Sequence, residues 1–158
     1  MRIVSGGQTG VDRAALDVAI ELGIACAGWC PRGGLAEDHV TPPGLLATYP
    51  ALTETPSGDP RQRTVWNVRD SDATLVLTRD GVVSPGTALT VLTAQRLGRS
   101  LHVQSLAATD ALDQVAAWLR LLDPACTVDV AGPRESQAPG IHEVASALLT
   151  AVLAPYAG

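Results

Sequence analysis

The opening stretch restricts this chain more than any other. Arg2–Ser5 reads as a short apolar strand, Gly6-Gly7-Gln8-Thr9-Gly10 as the turn that follows, and Val11–Leu16 as the start of a helix. Glycine keeps no side chain between the backbone and a ligand, and it tolerates the positive φ that such a turn needs. The first N–H groups of a helix lack internal partners, and the helix dipole favours negative charge there. The combination predicts an anion site where strand meets helix. The stretch is neither G-x-G-x-x-G nor G-x-x-x-x-G-K-[ST], so it is not a standard dinucleotide fingerprint or Walker loop. A plain turn capped by Thr9 or Asp12 is the competing reading.

The rest of the chain repeats the same alternation. Helical spacing runs from Val11 to Leu22, with Gly23 as the stop signal. Ile24–Trp29 reads as a strand ending in the turn Cys30-Pro31-Arg32-Gly33-Gly34. Residues 36–57 carry several prolines and no clear period, which predicts a functional or mobile loop. Asp59 and Pro60 look like the N-cap and first position of a helix reaching Arg69. Ala73–Thr78 is a continuous apolar strand, as expected in the interior of a parallel sheet. The spacing then predicts a helix over Thr87–Leu97, a strand over Leu101–Gln104, a helix over Ala111–Leu122, a strand over Thr127–Ala131 and a helix over Ile141–Leu153. Strands alternating with helices define an α/β class with a largely parallel sheet. At 158 residues the length suits a single domain over residues 1–158.

Composition narrows the function. The formal net charge is −5 and every basic residue is arginine. An acidic chain argues against nonspecific nucleic-acid binding, which draws on basic side chains meeting phosphates. The absence of lysine excludes Schiff-base chemistry and a lysine base. Cys26, Cys30 and Cys126 form neither a disulfide framework nor a zinc-ligand spacing, and burial is expected for Cys26 and Cys126. Met1 leads straight into a strand, and no apolar run is long enough to span a membrane. A cytoplasmic protein is the expectation.

Ligands in open parallel sheets bind beyond the carboxyl ends of the strands. Four turns fall at such ends: Gly6–Gly10, Pro31-Arg32-Gly33, Ser84-Pro85-Gly86-Thr87 and Gly132-Pro133-Arg134. Each combines glycine with a hydroxyl or an arginine. Arg13, Arg32 and Arg134 are expected to converge there, with Arg61 and Arg63 approaching from the Asp59–Arg69 helix. Arginines gathered at one rim of an acidic protein make a local anion site. Asp12, Glu37, Asp38, Asp70 and Asp72 lie close in this reading, as ligand contacts or as partners of the arginines; pairing and capping are preferred for Asp12 and Asp70. His39, His102 and His142 share no spacing that marks a catalytic base.

Ser5-Gly6-Gly7-Gln8-Thr9-Gly10-Val11-Asp12-Arg13-Ala14-Ala15-Leu16 resembles the opening motif of the molybdenum-cofactor carrier family. So do Gly28-Trp29-Cys30-Pro31-Arg32-Gly33, Glu37-Asp38, and the run from Tyr49 to Ser57. Gln62-Arg63-Thr64-Val65-Trp66-Asn67-Val68-Arg69-Asp70-Ser71-Asp72 is similar to the family's most distinctive stretch, and Val130–Ser136 matches near the C-terminus. The family sits in a Rossmann-like group with lysine-decarboxylase-like phosphoribohydrolases and the DNA-processing protein DprA. The resemblance implies a Rossmann-like sheet with helices on both faces, a homo-oligomer (dimer or tetramer), and binding of the molybdenum cofactor (molybdopterin), a phosphorylated small-molecule ligand. It implies Gly6, Gly7, Thr9 and Gly10 on one anionic group, with Arg13, Gly86 and Thr87 close by. With the rim residues, the expected binding set is Gly6, Gly7, Gln8, Thr9, Gly10, Arg13, Arg32, Gly33, Arg63, Ser84, Gly86, Thr87 and Arg134, with no metal ligand and no catalytic residue. The phosphoribohydrolases carry P-G-G-x-G-T-x-x-E; here Gly86-Thr87 is kept and Thr90 stands at the glutamate. Threonine cannot act as a carboxylate base at neutral pH. That favours a carrier. The alternative is a nucleotide- or nucleoside-phosphate-processing enzyme using Asp38, Asp70 or Asp72. Single-stranded nucleic-acid binding is disfavoured by the charge and the few aromatics.

Overall fold

A computed structural model describes residues 1–81 and 83–158. The strands are β1 (Arg2–Val4), β2 (Ala25–Cys30), β3 (Leu52–Glu54), β4 (Ala73–Thr78), β5 (Ser100–Ser105) and β6 (Thr127–Ala131). The helices are α1 (Val11–Glu21), α2 (Leu45–Thr48), α3 (Pro60–Arg69), α4 (Pro85–Arg96), α5 (Ala111–Arg120) and α6 (Ile141–Leu153). The strands form one sheet in the order β3-β2-β1-β6-β4-β5, and every neighbouring pair is parallel. The architecture is Rossmann-like α/β.

Residues 36–57 hold more order than their sequence shows. The short helix α2 and the edge strand β3 both fall there. Neither is long enough to display a period. Tertiary contacts build them: Leu45, Tyr49 and Leu52 bury themselves with Leu16 and Cys30 in a second small core.

The two faces of the sheet differ in chemistry. On one, α1, α5 and α6 pack against Ile3, Leu75, Leu77, Val128 and Val130 through Ala15, Val18, Val115, Leu119, Ala145 and Leu149. On the other, α3 and α4 pack together and bring Thr64, Asn67, Thr87, Thr90 and Thr93 into the interior. Strand alternation turns Val4, Asp129, Thr74 and Ala131 toward this second, polar side. Asn67 is locked there: its amide accepts from Trp29 N at 2.7 Å and donates to Trp29 O at 3.0 Å, satisfying the backbone of β2.

Both helices of the polar face begin at the carboxyl edge of the sheet, each with a capping side chain followed by proline. Asp59 accepts from Arg61 N at 2.9 Å, and Ser84 Oγ accepts from Thr87 N at 3.4 Å. Proline at the first position loses no hydrogen bond, because that N–H has no helical partner. At α1 neither Thr9 nor Asp12 acts as a cap; Gly10 takes the N-cap position at φ 79°, without a side-chain bond. Of the cysteines, Cys30 and Cys126 are buried and Cys26 is half-buried; all are free thiols.

The position of β6 decides where a site can form. It is last in the chain yet lies between β1 and β4. The chain leaves β4 toward α4 on one face and leaves β6 toward α6 on the other. Adjacent strands whose exits diverge leave a crevice at their carboxyl ends, the position at which doubly wound sheets bind ligands. Counted from β4 onward, the order is that of a flavodoxin-like sheet cut open at another point.

Candidate functional site

A chamber of about 130 Å³ opens at that crevice. Four segments enclose it. The amino end of α3 contributes Pro60, Arg61, Arg63 and Thr64; α4 contributes Ser84, Gly86, Thr87 and Thr90. The exit of β6 supplies Ala131, Gly132, Arg134 and Gln137, and the glycine turn supplies Gln8 and Asp12. Two helix amino ends and three arginines therefore border one small space. Each favours an anion.

The floor carries a buried charged pair. Asp12 is 3% exposed, and Arg63 Nη1 donates to its Oδ2 at 2.8 Å. Burial pushes the Asp12 pKa above the ordinary carboxylate value; Arg63 and the N–H groups of Gly132 and Gln8 counter that. Arg63 lies flat on Gly6, where a Cβ would collide with its guanidinium. Gly6 is thus required for close approach of the arginine. Behind the pair sits Asp129, 2% exposed, in register with Val4 and Thr74. Burial, then repulsion from Asp12, drives its pKa well above the ordinary value, and Arg63 offsets only part. The facing Thr74 hydroxyl has no hydrogen-bond partner among the described residues.

The expected site residues divide among three spaces. Gln8, Arg63, Ser84, Gly86, Thr87 and Arg134 border the chamber. A neighbouring slot of about 230 Å³ is lined by Gly6, Gln8 and Arg63 with Pro31, Leu35, Ala36, Gly58 and Pro60. Thr9, Gly10 and Arg13 face another cleft, beside Asp17, Tyr49, Glu135 and His142. Gly7 is packed beneath Leu45 and Leu52, and its carbonyl accepts from Arg13 Nε at 3.0 Å. Arg32 is exposed on a turn and lines none of these spaces; Gly33, at φ 80°, donates its N–H to Glu54 at 2.6 Å.

Several groups are already engaged within the protein. Arg13 makes a two-pronged pair with Asp38, both bonds 3.0 Å, and its hydrogen bonds hold the Asp38 carboxyl far below the ordinary range. Glu37 reaches over the glycine turn. Its carboxylate accepts from the Thr9 hydroxyl, from Ser136 N at 3.2 Å and from Ser136 Oγ at 2.5 Å. Burial opposes its ionisation, but the Ser136 and Thr9 bonds outweigh it and its pKa is lowered. Asp70 and Asp72 stand in the turn entering β4, at the amino ends of the strands and away from the chamber. Asp70 pairs with Arg69 at 2.6 Å, and Asp72 accepts from Thr127 N at 2.8 Å. Thr90 does border the chamber, so the position of the missing glutamate lies inside it.

Sequence reasoning missed Asp129, Gln137 and the apolar slot. A carboxyl amid the valines of Thr127–Ala131 was the available signal for Asp129. Gln137 and the slot left no signal, since they arise from segments far apart in the chain. Among the described residues, no group of three or more His, Cys, Asp or Glu is placed to hold a metal ion, and no helix is long and apolar enough to cross a membrane.

Comparison with known proteins agrees with this fold. A model of the circularly permutated YpsA SLOG family matches residues 3–153. A crystal structure from Syntrophus aciditrophicus SB, described as "Putative molybdenum carrier protein", superposes with a TM-score of 0.85 at 37% identity, over 96% of this chain and 94% of that one. No curated protein matches. With a late strand slotted between β1 and β4, and a family match running nearly end to end, the chain belongs to the circularly permutated YpsA SLOG family.

Proposed function

We propose that this protein is a binding or carrier protein for the molybdenum cofactor or a related phosphorylated small molecule. The anionic group sits in the chamber between α3, α4 and the β6 exit. The observation that carries the reading is the convergence of two helix amino ends with Arg61, Arg63 and Arg134 on one space of about 130 Å³. That volume suits a phosphate or another tetrahedral oxyanion. Gln8, Ser84 and Thr87 stand ready to hydrogen-bond its oxygens. The relative from Syntrophus aciditrophicus supports a molybdenum-linked cargo.

The Thr90 position supports carriage over hydrolysis. The acids of the chamber are Asp12, which is tied to Arg63, and Asp129 behind it. Asp38, the remaining candidate for replacing the glutamate, is held by Arg13 on the far side of the turn.

The test is direct. Inorganic phosphate and molybdate are titrated while the melting temperature is followed. Binding only to the native state stabilises it by RT ln(1 + [L]/Kd), about 1.4 kcal/mol at ten times Kd. A Gly86→Val variant adds a side chain at a residue bordering the chamber, where a Cβ meets nothing within 4 Å among the described residues, and it should weaken the shift. Transfer of extracted molybdenum cofactor to apo nitrate reductase then tests the cargo. No anion stabilisation overturns the site; anion binding without cofactor binding at micromolar concentration overturns the cargo.

A further inference from the structure

The sheet ends in two edges of unlike construction. β3, at one edge, is three residues long, carries Glu54 and lies between Pro50 and Pro56. Shortness, charge and proline are ordinary means of keeping an edge strand from pairing. β5, at the other edge, has none of them. Its six residues, Ser100-Leu101-His102-Val103-Gln104-Ser105, include no Asp, Glu, Arg or Pro. A strand of that length spans about 20 Å.

Hydrogen bonding to β4 shows which backbone groups are left over. Leu106 N donates to Thr78 O at 2.7 Å, across to the β4 side. The bonding direction alternates along a strand, so Gln104 and His102 also turn toward β4. Leu101 and Val103 therefore turn their N–H and carbonyl groups outward. Among the described residues, neither backbone bonds to anything outside the β4–β5 ladder.

Apolar side chains surround this open row. α4 buries Thr87, Thr90 and Thr93 and leaves Leu92 and Leu97 outside, 42% and 47% exposed. Val103 is itself 42% exposed. A long edge with exposed aliphatic residues is a site of association.

Charge points to what covers it. Between Ser84 and Leu122 the charged residues are Arg96, Arg99, Asp110, Asp113 and Arg120. The arginines stand at the amino edge of the sheet, at the ends of α4 and α5 and the entry to β5; the aspartates stand at the carboxyl edge, where α5 begins. Asp72, Arg79 and Asp123, just beyond this stretch, are tied to Thr127, Pro139 and Ala125 of their own chain. A second copy turned antiparallel about a two-fold axis through β5 sets the basic end of each strand against the acidic end of the other. Such an interface is self-complementary, as two-fold symmetry requires.

We propose that β5 is the interface between two copies of this chain, which pair antiparallel along it into one continuous sheet. Leu101 and Val103 exchange backbone bonds with the second copy, and Leu92, Leu97 and Val103 cover the joint. None of these residues borders the chamber, so the proposal is independent of the anion site.

Sedimentation and amide hydrogen exchange test it on wild type, Val103→Lys and Val103→Pro. Wild type should sediment at twice the 16.3 kDa of one chain or an even multiple of it. Its Leu101 and Val103 amides should exchange as slowly as those of His102 and Gln104. Lysine opposes like charges across the joint, and proline deletes an outward N–H that serves no bond to β4. Each should raise the dissociation constant roughly tenfold or more and free the Leu101 amide to exchange, with the circular dichroism of the native fold retained. The lysine variant changes only an exposed side chain, so it decides the matter if the proline variant does not fold. A wild-type monomer at 50 µM overturns the proposal. So does an assembly that survives both variants, or one in which the Leu101 and Val103 amides exchange freely.

Discussion

Replacing Asp129 with asparagine should stabilise the protein, and more so as pH rises. The carboxyl is 2% exposed on β6, between Val4 of β1 and Thr74 of β4, beside the buried Asp12–Arg63 pair. Burial and the nearby Asp12 raise its pKa well above the ordinary 3.8. The sign follows from linkage. Above the ordinary value the unfolded chain has released this proton while the native state keeps it. Native stability therefore falls as pH rises through the interval up to the raised pKa. At pH 7, about three units above the ordinary value, holding the proton costs at most roughly 4 kcal/mol. The attraction of Arg63 reduces that, and mutational costs of unpaired buried polar groups suggest about 1–3 kcal/mol. Asparagine keeps the shape and has no proton to lose. Urea unfolding of both proteins between pH 4 and 8 should give curves that meet near pH 4 and separate steadily above it. By pH 7.5 the variant should lead by about 1–3 kcal/mol, a rise of roughly 3–10 °C in Tm for a chain of this size. Asp12 is present in both proteins, so its titration largely cancels in the difference. A difference independent of pH, or one that turns toward wild type at high pH, refutes the buried neutral carboxyl.

Other consequences follow from single contacts. Arg63→Met strands Asp12 as an uncompensated buried charge and should cost about 3–5 kcal/mol at pH 7; the loss should shrink by pH 4.5 as Asp12 takes up a proton, which calorimetry at the two pH values checks. Asn67→Ala leaves both the N–H and the carbonyl of Trp29 unpaired and should cost about 2–4 kcal/mol in urea unfolding. Asp59→Ala removes the N-cap of α3 and should cost about 1 kcal/mol, read by urea unfolding. Gly10→Ala puts a side chain against the carbonyl of Pro133 at φ 79°, so Tm should fall by more than a surface Gly→Ala change at Gly86.

How much of the site was legible follows its chemistry. The turns after β1, β4 and β6 announced themselves through glycine, proline and hydroxyl residues, because backbone geometry demands those residue types locally. Arginine destinations were far less readable. Arg13 and Arg63 are both near the glycine turn, yet Arg13 folds back onto Asp38 and Tyr49 while Arg63 crosses the turn to Asp12. A long flexible side chain is directed by partners distant in sequence, and no local pattern records them. Asp70 and Asp72 show the same limit. They close the distinctive stretch, one and three residues past the end of α3, but an α-helix carries the chain from one edge of the sheet to the other, so they end at its amino side.

Local sequence rules alone determined the alternation of strands and helices, the cap at Asp59, and the buried interior strand β4. These depend on propensity, periodicity and capping within a few residues. Tertiary structure alone decided that β6 enters between β1 and β4, that α2 and β3 form at all, and that two cavities share the Arg63 wall. The reason is physical. Strand order and cavity shape are set by how separate apolar faces pack, and that energy belongs to pairs of residues far apart along the chain.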